Sequence, residues 1–166
     1  MSRVRITASS VEKKYPEFEG VLYKARDNPL PHELTLSSQE LSQLDIRGEP
    51  IFVEHDRKLG RVGVILSSEF RNPDLYIHGI VNTENVEVRE AIRASLKSGA
   101  LSDLSIGFMA LHNKKTGEYA NKEFEEASLV AKGFYSGTHI VSVRASQNGG
   151  GQFFSAQNIA ASDDEF

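Results

Sequence analysis

The chain has 166 residues, 39% of them hydrophobic and 25% charged, with a formal net charge of −4. These values fit one globular domain with a single core and exclude a globally basic surface for nucleic acid. The absence of cysteine excludes disulfides, thiolate metal sites and a cysteine nucleophile. No apolar run approaches the roughly 18 residues of a membrane span, and the N-terminus lacks a signal-peptide core, so a soluble, non-secreted protein with no membrane contact is expected.

Val4, Ile6 and Ala8 alternate with polar residues and predict an opening strand. Phe18 to Lys24 predicts a second, with Val21 and Tyr23 on one face and Leu22 on the other. Asn28-Pro29-Leu30-Pro31 forces a loop. Ser37 and Glu40 have the spacing of a capping box, opening a short helix with Leu41 and Leu44 toward the core. Residues 51–53, 61–67 and 75–81 follow in close order and predict an antiparallel meander.

Asn85 to Ser98 carries the clearest helical period, with Val88, Ala91, Ile92, Ser95 and Leu96 as its core stripe and Gly99 beyond its end. Glu84 and Glu87 near its start and Arg93 and Lys97 near its end match the helix dipole. Strands are predicted over 101–111, 124–130 and 140–144, the first two separated by the turn residues 114–118. From Ser146 the glycine-rich run and the acidic ending predict a flexible linker and tail. The expected division is therefore a folded domain over 1–145 and a tail over 146–166. Several short strands with few helices predict a mainly β fold, a barrel with peripheral helices.

Three segments carry candidate chemistry. His55 ends a strand at a tight polar turn, where an imidazole can serve as a base. Ser105 lies in Leu104-Ser105-Ile106-Gly107-Phe108, and Gly107 on its own face leaves room for a substrate backbone. Ser102, nearer the preceding loop, is the competing serine. Glu126 shares a strand face with Phe124 and Ser128, while Glu125 points the other way; spacing does not choose between the two carboxylates. A serine needs a base to take its proton, and the base needs a third group to orient it. The plain alternative for His55 is a turn histidine paired with Asp56 or Glu54. A metal reading pools His55, Asp56, His78 and His32, but nothing has the spacing of a zinc helix.

Taken together, Val53-Glu54-His55-Asp56 with Gly60-Arg61-Val62, the Ser105 strand, and the run from Glu126 to Gly137-Thr138 resemble the capsid maturation proteases: herpesvirus assemblins and the prohead proteases of tailed phages. The resemblance covers roughly residues 50 to 145. It implies a closed antiparallel β-barrel and a Ser-His-Glu triad of Ser105, His55 and Glu126. Counting back from Gly137-Thr138 puts Glu126, not Glu125, where assemblins carry a second histidine. The resemblance also implies backbone N–H groups of Phe134 and Tyr135 at the oxyanion. The family's paired arginines are Phe134 and Tyr135 here, so the arginine-held water is missing unless Arg61 or Arg144 replaces it. Losing one oxyanion donor costs about 3–4 kcal/mol in acyl-transfer enzymes.

The activity implied is that of a serine endopeptidase acting on capsid scaffold protein, and on itself, inside an assembling procapsid in the infected cell. It implies a homodimer with no metal or organic cofactor. Assemblins cut after a small residue and before serine; Ala161-Ser162 in the acidic tail and Ala145-Ser146 at the domain edge are the candidate sites. A protease-fold assembly module without activity is the main alternative, favoured by the Phe134 and Tyr135 departure. An unrelated, metal-dependent barrel hydrolase is a third reading.

Overall fold

The computed structural model describes residues 14–131 and, for the backbone, 139–146. The predicted strand at Val4 and the predicted tail beyond Ser146 lie outside the described residues. β1 (Tyr15–Lys24), β2 (Pro50–Val53), β3 (Gly63–Arg71), β4 (Asp74–Ile80), β5 (Asp103–His112), β6 (Tyr119–Val130) and β7 (His139–Ser146) are joined by two helices, α1 (Ser38–Ser42) and α2 (Val86–Ser98). The strands form one seven-stranded sheet in the order β5-β6-β2-β3-β4-β1-β7. The fold is thus mainly β with few helices, as expected.

β2, β3 and β4 form the predicted antiparallel meander, and β5 and β6 form a hairpin around residues 113–118. The expectation of a wholly antiparallel sheet is corrected at one junction: β2 runs parallel to β6, pairing Ile51, Phe52 and Val53 with Ala127, Ser128 and Leu129. Parallel neighbours need a long crossover, and β3, β4, α2 and β5 supply it. The sheet curls, bringing β5 close to β1 and β7, which stand at the other end of the strand order. Tyr23 on β1 and Phe108 on β5 meet edge to face across the interior, with centroids 6.5 Å apart.

The core fills the inside of this curl with Phe18, Leu22, Ile51, Ile65, Leu104, Ile106, Phe108 and Leu129 among others. The expected split of β1 into two faces breaks down at Val21, Leu22 and Tyr23, which are all buried. A bulge against β4 falls there, and the Tyr23 hydroxyl accepts the Leu36 N–H at 2.9 Å. Glycine is required where strands crowd. A Cβ at Gly63 would lie 2.1 Å from the Ile80 carbonyl oxygen, and one at Gly79 would lie 2.1 Å from the Phe18 ring.

α1 begins with the predicted capping box, in which the Ser37 hydroxyl accepts from Glu40 N–H and the Glu40 carboxylate accepts from Ser37 N–H. α2 is capped by Asn85 and ends at Gly99 in the left-handed conformation. Its buried stripe differs from the predicted one: Ala91 is exposed and Arg89 is buried with Ile92 and Leu96. The Arg89 guanidinium lies over the Tyr15 ring at 4.9 Å and its Nη1 donates to the Thr83 carbonyl at 3.0 Å.

Candidate active site

β5 sends Leu104, Ile106, Phe108 and Ala110 into the core. Strand alternation therefore puts Ser105 and Gly107 on the opposite face. On β6, Ala127 and Leu129 enter the core, leaving Glu126 and Ser128 on that same outer face. The register pairs Ser105 with Ser128 and Gly107 with Glu126. Gly107 contributes no side chain opposite Glu126.

The His55 ring comes from the turn after β2. Because β2 lies parallel to β6, its C-terminal end arrives beside Leu129, and the chain then folds back over β6. Glu54 and His55 both adopt left-handed backbone, with φ of 50° and 57°. Such conformations cost about 1–3 kcal/mol each outside glycine and need to be held. Glu54 N–H donates to the Leu129 carbonyl at 2.6 Å and Asp56 N–H to the Val53 carbonyl at 2.8 Å. His55 N–H donates to Ser128 Oγ at 3.1 Å, and the Glu54 carboxylate accepts Ala131 N–H at 2.7 Å.

The turn delivers the imidazole between β5 and β6. His55 Nε2 lies 2.6 Å from Ser105 Oγ, and His55 Nδ1 is hydrogen-bonded to Glu126 Oε1. The second carboxylate oxygen accepts from Ser128 Oγ at 2.8 Å. A carboxylate can only accept, so the Nδ1 proton faces Glu126, and in the neutral ring the Nε2 lone pair faces the serine. Ser105, Glu126 and Ser128 are each 0% exposed, whereas the His55 side chain keeps 13% of its surface in solvent. A buried carboxylate needs donors to replace water, and His55 and Ser128 supply one to each oxygen.

The rival assignments separate cleanly. Glu125 is partly exposed and pairs with Arg57 at 3.2 Å. Ser102 is exposed, its hydroxyl 3.4 Å from the Ala131 carbonyl. Asp56 accepts the N–H groups of Lys58 and Leu59, so neither Asp56 nor Glu54 faces the His55 ring. The pooled metal residues do not converge: His78 pairs with Glu17 at 2.6 Å, and no group of three or more metal-ligating side chains occurs among the described residues. Among the described residues, Arg61 reaches the Gly63 carbonyl, at 3.4 Å. Phe134 and Tyr135 lie outside the described residues, as does the Arg144 side chain.

Ser128 and Glu54 were not singled out as site residues from the sequence. Ser128 had a legible signal, since it lies two residues from Glu126 and so shares its face. Glu54 had none, because its role depends on the parallel pairing of β2 with β6.

No protein-family model matches the sequence, and no curated protein matches it. Solved structures do match in fold. The protease of Kaposi's sarcoma-associated herpesvirus in complex with a hexapeptide phosphonate inhibitor is similar with a TM-score of 0.57 and 17% identity, over 76% of this chain and 64% of that one. The same virus's protease in complex with a dimer disruptor matches with a TM-score of 0.53 and 19% identity, over 79% of this chain and 77% of that one. The varicella-zoster virus protease matches with a TM-score of 0.50 and 15% identity, over 79% of this chain and 64% of that one. The chain thus spans a little under two thirds of the first of these proteins. At such identities the likeness establishes a shared fold.

Proposed function

We propose that this chain is a serine endopeptidase in which Ser105 is the nucleophile, His55 the general base and Glu126 the group that orients and charges against the imidazole. The observation that carries the reading is the hydrogen-bonded series from Ser105 Oγ through both ring nitrogens of His55 to Glu126. The fold shared with herpesvirus proteases supports it.

In the reaction, His55 Nε2 takes the Ser105 proton as Oγ bonds to the scissile carbonyl carbon. The carbonyl π electrons move onto oxygen, and the imidazolium formed is stabilised by the Glu126 carboxylate. Collapse of the tetrahedral species breaks the C–N bond while Nε2 returns the proton to the leaving amine. Water then enters with His55 again as base and releases the acyl group from Ser105. The backbone N–H groups of Phe134 and Tyr135 hold the oxyanion in this reading. No step calls on a metal or an organic cofactor.

The finer parts of the proposal come from the resemblance to capsid maturation proteases, phage prohead enzymes included. The substrate is a capsid scaffold protein, the site of action the assembling procapsid, the working form a homodimer, and the barrel closed. The herpesvirus enzyme's dimer disruptor complex supports the dimer. The enzyme also cuts its own chain at Ala161-Ser162 or Ala145-Ser146, separating the domain from the tail.

A fluorophosphonate probe tests the activity at high protein concentration. Labelling of Ser105 that is lost in both Ser105→Ala and His55→Ala is expected, and an unlabelled wild-type protein would refute it. Intact mass of wild-type protein against Ser105→Ala tests self-cleavage; equal masses, with the tail retained in both, would refute that part.

The second reading is a protease-fold assembly module without activity. It is favoured by Phe134 and Tyr135 in place of paired arginines and by the complete burial of Ser105.

A further inference from the structure

We infer that Ser128 is a positioning residue for this site, fastening both the main chain of His55 and the carboxylate of Glu126; the inference rests on the protease reading above. Its hydroxyl accepts His55 N–H at 3.1 Å and donates to Glu126 Oε2 at 2.8 Å. The direction of each bond is forced. A backbone N–H can only donate and a carboxylate can only accept, so the hydroxyl hydrogen lies toward Glu126.

The bonds close on themselves. They run from His55 N–H to Ser128, from Ser128 to Glu126, and from Glu126 back to Nδ1 of His55. The histidine is gripped at its main chain and at its ring by the same pair of residues on β6. Each grip answers a specific need. The left-handed backbone at Glu54 and His55 persists only where the surroundings over-determine it. The carboxylate would otherwise turn freely about its last bond, and its second oxygen would be buried without a donor.

Ser128 is suited to this by register. It is directly opposite Ser105 on one side and Phe52 on the other, so it occupies the junction of the three strands that supply the site. It does not compete as a nucleophile, because its proton is committed to Glu126 and the Nε2 lone pair of His55 faces Ser105.

The test uses the whole 166-residue chain and its Ser128→Ala, Ser128→Cys and Ser128→Thr variants. One readout is fluorophosphonate inactivation, resolved into probe binding and the first-order bonding step. The other is the downfield proton resonance of His55 Nδ1–H, which needs no activity. Ser128→Ala is expected to slow the bonding step about 10- to 100-fold with probe binding within about twofold, and to lose the resonance. Ser128→Thr, which keeps the hydroxyl, restores both, and Ser128→Cys, a weak donor of similar volume, follows alanine. If the alanine variant does not fold, the cysteine variant carries the comparison.

A serine with a merely structural role would lower the melting temperature while leaving the bonding step and the resonance unchanged below it, and that result overturns the inference. If the wild-type protein takes no label, the protease reading fails by itself. The resonance then decides alone: its retention in Ser128→Ala overturns the positioning role, and its loss upholds it.

Discussion

Ser105 Oγ and His55 Nε2 are 2.6 Å apart although 50 residues separate them in the chain. The contact exists because β2 ends beside β6 and the chain then turns back over the Ser105–Ser128 pair. Nothing local to either residue brings it about.

Replacing either partner should remove the reactivity and spare the fold. Ser105→Ala and His55→Ala are each expected to lower peptide cleavage by at least about 1,000-fold, with circular dichroism unchanged. Retained cleavage in Ser105→Ala would move the nucleophile elsewhere.

Glu126→Gln preserves the size of the side chain and removes its charge. An amide NH₂ facing Nδ1 favours the tautomer with its proton on Nε2, where the lone pair is needed. A fall in kcat of about 1,000- to 10,000-fold is expected, with KM little changed. Glu125→Gln, which disturbs only a surface pair with Arg57, is expected to stay within about twofold of wild type. Comparable losses in the two variants would contradict the assignment.

Gly63→Ala tests the packing that sets the meander. Its Cβ would lie 2.1 Å from a backbone oxygen, that of Ile80, and backbone cannot yield as a side-chain tip can. Destabilisation of about 3 kcal/mol is expected in urea unfolding, whereas Gly48→Ala, where open space surrounds the new atom, pays only the cost of its positive φ.

Asp27 gives the stability a small acid-side dependence. The Ser38 hydroxyl and then the Ser38 N–H hold its carboxyl below the ordinary aspartate range. A depressed folded-state pKa stabilises the fold above the unfolded value, near pH 4, and this contribution disappears as pH falls through the folded value. The melting temperature of Asp27→Asn is therefore expected to lie slightly below wild type at neutral pH and to converge with it in acid. Parallel curves across that range would show that the bonds to Ser38 contribute nothing.

The elements were legible where their signals are local. Ser37 with Glu40, Asn85 and Gly99 mark helix ends through bonds made within a few residues, and the meander follows from short turns. Ala91 was placed on the core stripe and is exposed, while the burial of Arg89 was not foreseen, because the ring beneath its guanidinium, Tyr15, is far away in sequence. The parallel union of β2 with β6 was not legible, since no short-range pattern specifies which edge a four-residue strand will join.

The residue types set the chemistry available. Without cysteine, the candidate nucleophile is a hydroxyl, and the alternation along β6 already put Glu126 and Ser128 on one face. The resemblance had already singled out Ser105 and Glu126, and the tertiary structure is what brings both to the imidazole. It also decided that a second serine, Ser128, bonds both to that carboxylate and to the histidine's main chain. The physical reason is range: periodicity and capping act over a few residues, whereas hydrogen bonds among positions 55, 105, 126 and 128 form only after the sheet has curled and its distant strands have paired.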